Sequence, residues 1–138
     1  MIGCAFCEIL RGKAAAERLY DGEHCVAFLD VAPINPGHAL IVPRGHHVSL
    51  TTVPAEALAE IMTIAPRLGQ ALARETDCDG FNLHLANGTC AGQAVPHAHL
   101  HVIPRSGTDG FTWNWRTLPR DDAQSAELTA AIHRRLGT

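Results

Sequence analysis

Three histidines alternate with apolar residues in the stretch Gln93-Ala94-Val95-Pro96-His97-Ala98-His99-Leu100-His101-Val102-Ile103-Pro104. On a β-strand, successive side chains point to opposite faces. His97, His99 and His101 then line one face, while Ala98, Leu100 and Val102 face a core. Same-face neighbours sit about 6.5–7 Å apart, so the imidazole row spans roughly 13–14 Å. That is room to surround a phosphate or to hold a metal. Histidine has modest strand propensity and is costly to bury without partners. One histidine there reads as a solvated face; three in strict alternation after a Gly/Asn-rich loop do not. Two chemistries remain. Imidazole is the commonest metal ligand. It also suits nucleophilic and acid–base work on a phosphate ester.

A second group with chemical potential opens the chain, Cys4-Ala5-Phe6-Cys7. This spacing lets two thiolates reach one tetrahedral zinc. No strand precedes the pair, which argues against a thioredoxin-like redox role. Two cysteines alone read equally as small buried hydrophobes, and a complete zinc site needs two further ligands.

These groups need a fold to position them. The 138 residues are expected to form one domain, 1–138, large enough for a core. A hydrophobic fraction of 46% fits a globular chain. The net charge of −3 offers no basic footprint for a nucleic acid polymer, although imidazoles and backbone N–H groups can hold a small nucleotide. No run of eighteen apolar residues predicts a membrane span. The first residues lack a basic n-region and an apolar h-region. The five cysteines are an odd number without a disulfide framework, so a reducing cytoplasm is expected. No redox cofactor is implied.

In order, a short helix is expected over Ala5 to Leu10, ended by Gly12. Arg18–Asp21 and Cys25–Leu29 read as a hairpin about Asp21-Gly22-Glu23. Pro33, Pro36 and Gly37 punctuate a loop after Asp30 and Val31. His38–Pro43 is a short, largely apolar strand and so central. Pro54 to about Thr76 carries Leu58, Ile61, Met62, Ala65, Leu68 and Leu72 at helical spacing. Pro54 suits its first turn, and Pro66 predicts a kink. Gly80–Ala86 alternates as a fourth strand. The loop Asn87-Gly88-Thr89-Cys90-Ala91-Gly92-Gln93 then runs into the histidine row, and its glycines let backbone N–H groups approach an anion. It is not a P-loop, since no Lys-Ser/Thr follows. Phe111, Trp113 and Trp115 alternate in a segment best suited to core or interface. Asp121 to about Leu136 reads as a final helix, acidic at its start and basic at its end. The fold class is α+β: a mostly antiparallel sheet with one main helix packed on it, and a C-terminal helix.

Gly92-Gln93-Ala94-Val95-Pro96-His97-Ala98-His99-Leu100-His101-Val102-Ile103 resembles the signature of the histidine triad (HIT) family of nucleotide hydrolases and transferases. The resemblance extends from Cys4 to about Arg105, the core of the domain. It implies a nucleophile at His99, with His101 donating a hydrogen bond to phosphate or leaving group and His38 orienting the nucleophile. Phe28, Asp30 and Val31 match positions at the base or ribose; a carboxylate accepts hydrogen bonds from ribose hydroxyls. Asn87, Gly92, Gln93 and Ala94 match the phosphate cradle, whose backbone N–H groups over Gly92–Ala94 are expected to neutralise phosphoryl charge. Many relatives carry Ser or Thr where this chain has Ala94. Without the resemblance, Phe28 reads as core, His38 as a surface histidine and the glycine loop as a turn. Zinc-bearing members imply a structural Cys₂His₂ site from Cys4, Cys7, His46 and His97, with His47 as an alternative to its neighbour. The resemblance also implies a homodimer.

The expected activity is hydrolysis at the α-phosphate of a purine nucleotide derivative, a phosphoramidate or a dinucleoside polyphosphate, through a nucleotidyl-histidine. Two rival classes are a non-catalytic nucleotide-binding signalling module and a metal-dependent hydrolase using the histidine row.

Overall fold

The computed structural model describes residues 1–138. Five strands form one sheet: β1 (Arg18–Asp21), β2 (Cys25–Leu29), β3 (Ala39–Pro43), β4 (Gly80–His84) and β5 (Leu100–Arg105). The spatial order is β1-β2-β3-β5-β4, with every neighbouring pair antiparallel. Three helices accompany it: α1 (Ala5–Leu10), α2 (Ala55–Glu75) and α3 (Asp122–Leu136). The fold is α+β.

β2 and β3 are apolar at nearly every position because both faces of the sheet are covered there. On one face Ala27, Ile41, Leu100 and Val102 pack against Ile61, Ala65 and Leu72 of α2. On the other Val26, Phe28, Leu40 and Val42 pack against Cys4, Phe6 and Cys7. β3 is central, as its composition predicts. Glu60 ties α2 to the first hairpin by accepting the His24 N–H at 2.9 Å and the Tyr20 hydroxyl at 3.1 Å. Those bonds hold its carboxyl below the usual range although burial pushes the other way.

Three expectations need adjusting. The histidine row is not all strand: ladder pairing begins at Leu100, and His97 to His99 form an unpaired lead-in. The alternation of side chains survives, since the rings of His97 and His99 both pack edge-on against Phe6. Pro54 caps α2 from an extended conformation instead of entering its first turn; Pro66 lies inside the helix, which continues to Glu75. Pro66 faces solvent, where water can satisfy the carbonyl that loses its donor. Of the two placements expected for the aromatic segment, core or interface, core is not what the structure shows. Trp113 is half-buried, while Trp115 is 82% exposed.

Candidate active site and metal centre

The imidazole face is built by register. Leu40 stands opposite His101 on β3 and β5, and His84 stands opposite His101 on β4 and β5. Side chains two residues apart on adjacent strands meet diagonally. That brings His38, just before β3, against His101 with Nε2 and Nδ1 2.8 Å apart. His38 was expected to orient His99; the register instead gives its hydrogen bond to His101. The rings of His99 and His101 lie 4.9 Å apart.

Hydrogen bonds assign the protons on these rings. His99 Nδ1 lies 2.7 Å from the His97 carbonyl, which can only accept, so Nδ1 carries the proton and Nε2 keeps its lone pair. His38 Nδ1 accepts the Ile34 N–H at 3.0 Å, which puts the His38 proton on Nε2. That proton is donated to His101 Nδ1, leaving His101 with an N–H at Nε2. Asp30 Oδ2 lies 3.5 Å from His38 Nε2, and Oδ1 accepts the Ala32 N–H at 2.9 Å. Burial pushes the pKa of His101 down to about 4, reinforced by His99, His38 and His84, with Asp30 opposing. Burial likewise lowers His38, and Asp30 opposes it there too. The hydrogen-bonded pair His38–His101 is therefore neutral at neutral pH. The one row carries a bare nitrogen on His99 beside an N–H donor on His101.

Both rings line a cleft of about 380 Å³. Phe28, Asp30, Val31 and Ala94 are among the residues that line it, and its wall is mostly apolar. Val31 is almost fully exposed at the rim, at 92%. Phe6, Ile9 and Leu40 also line the cleft and were not singled out from sequence. The one local signal for Phe6 is an aromatic placed between the two cysteines of Cys4-Ala5-Phe6-Cys7.

The glycine loop behaves differently from expectation. The N–H groups of Gly92 and Gln93 bond the Thr89 and Gly88 carbonyls at 3.0 and 3.2 Å. The buried Gln93 amide staples the loop, accepting from Gly88 N–H at 2.8 Å and donating to the Val48 and Val95 carbonyls. Asn87 Oδ1 accepts the Leu50 N–H at 2.8 Å. The side chains of Asn87 and Gln93 and the N–H groups of Gly92 and Gln93 thus shape the loop. Two of the three N–H groups expected in the cradle over Gly92–Ala94 are therefore engaged inside the loop. Gly92 is required at its position by a φ of 96°.

The second cluster assembles from α1 and two loops. Sγ of Cys4 and Cys7 lie 3.5 and 3.7 Å from His97 Nδ1, and Cys7 Sγ lies 3.4 Å from His46 Nδ1. All four donor atoms lie within 4.8 Å of one another. Sulfur and nitrogen ligands on tetrahedral zinc, with bonds of about 2.3 and 2.0 Å, stand about 3.5 Å apart. The donor set therefore fits zinc in both chemistry and spacing. His97 donates Nε2–H to the Pro43 carbonyl at 2.9 Å, which leaves Nδ1 bare toward the sulfurs, as a metal ligand must be. His46 Nε2 is buried without a partner. His47 is excluded from the cluster: its ring turns to Thr52 at 3.3 Å. Asp30, His38 and His101 also cluster. Their closest pair is hydrogen-bonded at 2.8 Å, tighter than the roughly 3 Å or more that two nitrogens keep on one metal with bonds of about 2.1 Å.

These geometries agree with comparisons to known proteins. A family model described as the HIT domain matches residues 11–108. The chain is 34% identical over 137 residues to the adenylylsulfatase HINT3 of Arabidopsis thaliana, covering 96% of this chain and 69% of the relative. It is 37% identical over 113 residues to the adenosine 5′-monophosphoramidase HNT1 of Saccharomyces cerevisiae, covering 81% and 69%. Among solved structures, a zinc-bound histidine triad family protein from Mycobacterium smegmatis superposes with a TM-score of 0.75 at 37% identity, covering 99% of this chain and 96% of that one. With a family model matching most of its length, this chain belongs to the HIT domain family.

Proposed function

We propose that the chain hydrolyses a purine nucleotide derivative at its α-phosphate, through a nucleotide bonded to His99. The observation that carries this is the proton pattern: a bare Nε2 on His99 beside an Nε2–H on His101, both at the end of an apolar cleft. Relatives that act as an adenylylsulfatase and an adenosine 5′-monophosphoramidase support the reaction class. His99 Nε2 attacks phosphorus, the Nε2–P bond forms, and the bond from phosphorus to the leaving atom breaks with its electron pair. His101 Nε2–H donates a hydrogen bond to the phosphoryl oxygen where charge builds. A neutral His101 has one proton only, so giving it away would leave an anionic ring; the leaving group takes its proton from water. A second water then displaces His99, which recovers its lone pair. Phe28 and Phe6 form the base wall, Asp30 accepts from the ribose hydroxyls, and the Ala94 N–H faces the phosphate.

Cys4, Cys7, His46 and His97 would hold zinc, whose chemistry here is to crosslink α1 to the body. The protein would work as a homodimer. Wild type and a His99→Gly variant, each mixed with adenosine 5′-phosphoramidate, test the mechanism. Wild type should release AMP and show a nucleotidylated mass, and the variant should lose at least about a thousandfold in kcat. Undiminished turnover by the variant overturns it. A binding module is the second reading, favoured by Ala94 in place of a hydroxyl and by the loop N–H groups spent internally. It predicts AMP affinity without turnover in wild type.

A further inference from the structure

The loop between β2 and β3 has little packing of its own. Val31, Ala32, Pro33, Ile34 and Pro36 are exposed, and Asn35 is half-buried. The Asp30 N–H closes the neck of the loop by donating to the His38 carbonyl at 2.9 Å. The side chain that ties the loop to the body is Asn35. Its Nδ2 donates to the Pro104 carbonyl and to Asp109 Oδ2, each at 2.9 Å. Asp109 is a fixed post. Arg105 donates to both its oxygens, at 2.6 and 3.1 Å, and the Phe111 and Ser106 N–H groups add bonds at 3.0 and 3.3 Å. Arg105 above all, then the Phe111 N–H, hold its carboxyl far below the usual carboxylate range, so it remains an acceptor.

Asn35 also opens a tight turn. Its carbonyl accepts the His38 N–H at 3.1 Å, and the φ of 83° at Gly37 suits the third position of a type II turn. The residue before it donates the Ile34 N–H to His38 Nδ1 at 3.0 Å. One anchored residue therefore sits between the backbone bond and the ring bond of His38. The ring bond chooses between two arrangements of the His38–His101 pair. With the Ile34 N–H in place, His38 Nδ1 accepts, His38 Nε2–H donates to His101 Nδ1, and His101 keeps its proton on Nε2. With that N–H withdrawn, the pair is free to invert. His38 then carries its proton on Nδ1, His101 Nδ1–H donates to His38 Nε2, and His101 Nε2 is bare. Both arrangements hold the same two protons. The inverted one sets a second lone pair beside that of His99, and a phosphoryl oxygen there meets no donor.

We propose that Asn35 is a positioning residue of the reaction: gripped by Asp109 and the Pro104 carbonyl, it holds the Ile34 N–H on His38 Nδ1 and so keeps the His101 proton facing the phosphate. This rests on the hydrolase reading above. The relay runs from Asp109 through Asn35, the Ile34 N–H and His38 to His101. Its last links are directional hydrogen bonds, so it transmits a tautomer as well as rigidity.

The test reads the ring protons directly. Long-range proton–nitrogen correlation spectra of histidine-labelled protein at neutral pH should show His101 protonated on Nε2 in wild type. Asn35→Ala, and Asn35→Leu of similar size to the native residue, should move the protons of His101 and His38 to Nδ1. On adenosine 5′-phosphoramidate both variants should lose at least about tenfold in kcat, toward the roughly hundredfold cost of one donor to a developing oxyanion, with KM changed by less than about twofold. Gly69→Ala, outside the relay, serves as a destabilised control and should keep the wild-type tautomers and kcat. A wild-type His101 tautomer in a folded Asn35 variant overturns the proposal, whatever happens to kcat. Loss of the fold in both Asn35 variants makes the residue structural and overturns it as well. The spectra need no turnover, so an idle wild type with the expected tautomers overturns the hydrolase reading and leaves the proton relay standing.

Discussion

At the residue scale, proton placement decides what each imidazole can do. His99, His101 and His38 are the same residue type, yet their different partners leave His99 protonated on Nδ1 and His38 and His101 protonated on Nε2. The neutrality of the buried rings has a consequence for stability. His101 titrates near 4 in the folded chain, against an ordinary 6.5, and His38 and His97 are shifted the same way by burial. Below about 6.5 the unfolded chain gains protons that the folded chain refuses, so stability present at neutral pH drains away as pH falls toward 4. For His101 alone this amounts to about 1–3 kcal/mol, allowing for its partial burial. Urea unfolding midpoints should therefore fall between pH 7 and pH 5. A midpoint that rises or stays level over this range would contradict neutral buried rings.

At the element scale, α1 matters out of proportion to its six residues. A helix that short has little stability of its own. It is fastened at both ends: by the cysteines, and by Arg18 donating to the Ile9 and Leu10 carbonyls at 2.7 and 3.3 Å. Between the fastenings it presents Phe6 to the His99 ring at 5.1 Å and to Phe28 at 5.6 Å. Cys7→Ser should reduce bound zinc from about one equivalent per chain to near zero, read by mass spectrometry of the metal, and should lower Tm by several degrees. Full zinc retention in that variant would place the metal elsewhere. α2 makes a different point. A Cβ at buried Gly69 would lie 2.5 Å from the Phe81 ring. Alanine there should gain about 1 kcal/mol in helix propensity and lose about 1–3 kcal/mol to overpacking. Gly69→Ala should thus destabilise the protein in a denaturation curve, against the usual effect of Gly→Ala in a helix.

At the scale of the whole molecule, two unpartnered surfaces stand in the second half of the chain. β4 is an open edge of the sheet, and α3 buries none of its residues. α3 is locally well specified: Asp121 accepts the Gln124 N–H at 2.9 Å at one end, and Gly137 closes the other with a φ of 73°. Its apolar stripe of Leu128, Ile132 and Leu136 nonetheless faces solvent. An exposed edge strand and an exposed apolar helix face both favour association. Sedimentation equilibrium should give twice the 14.8 kDa chain mass; a monomer at micromolar concentration would refute the proposed homodimer.

What the sequence determined by itself was local. The turn at Asp21-Gly22-Glu23 and the stop at Gly12 set both strands of the first hairpin and α1 to the residue, because each signal is written within a few neighbours. The alternation in 97–101 likewise set which side chains share a side. Tertiary structure decided what no local pattern encodes. The antiparallel register gave His38 to His101 instead of His99, and it brought Asp30 within reach of both. A backbone carbonyl chose the tautomer of His99. The closed loop spent the N–H groups of Gly92 and Gln93 on itself. Asn35 and Asp109 met only because the β2–β3 loop and the end of β5 lie side by side. Each of these depends on distance between residues far apart in sequence or on a hydrogen bond's direction, and residue type carries neither.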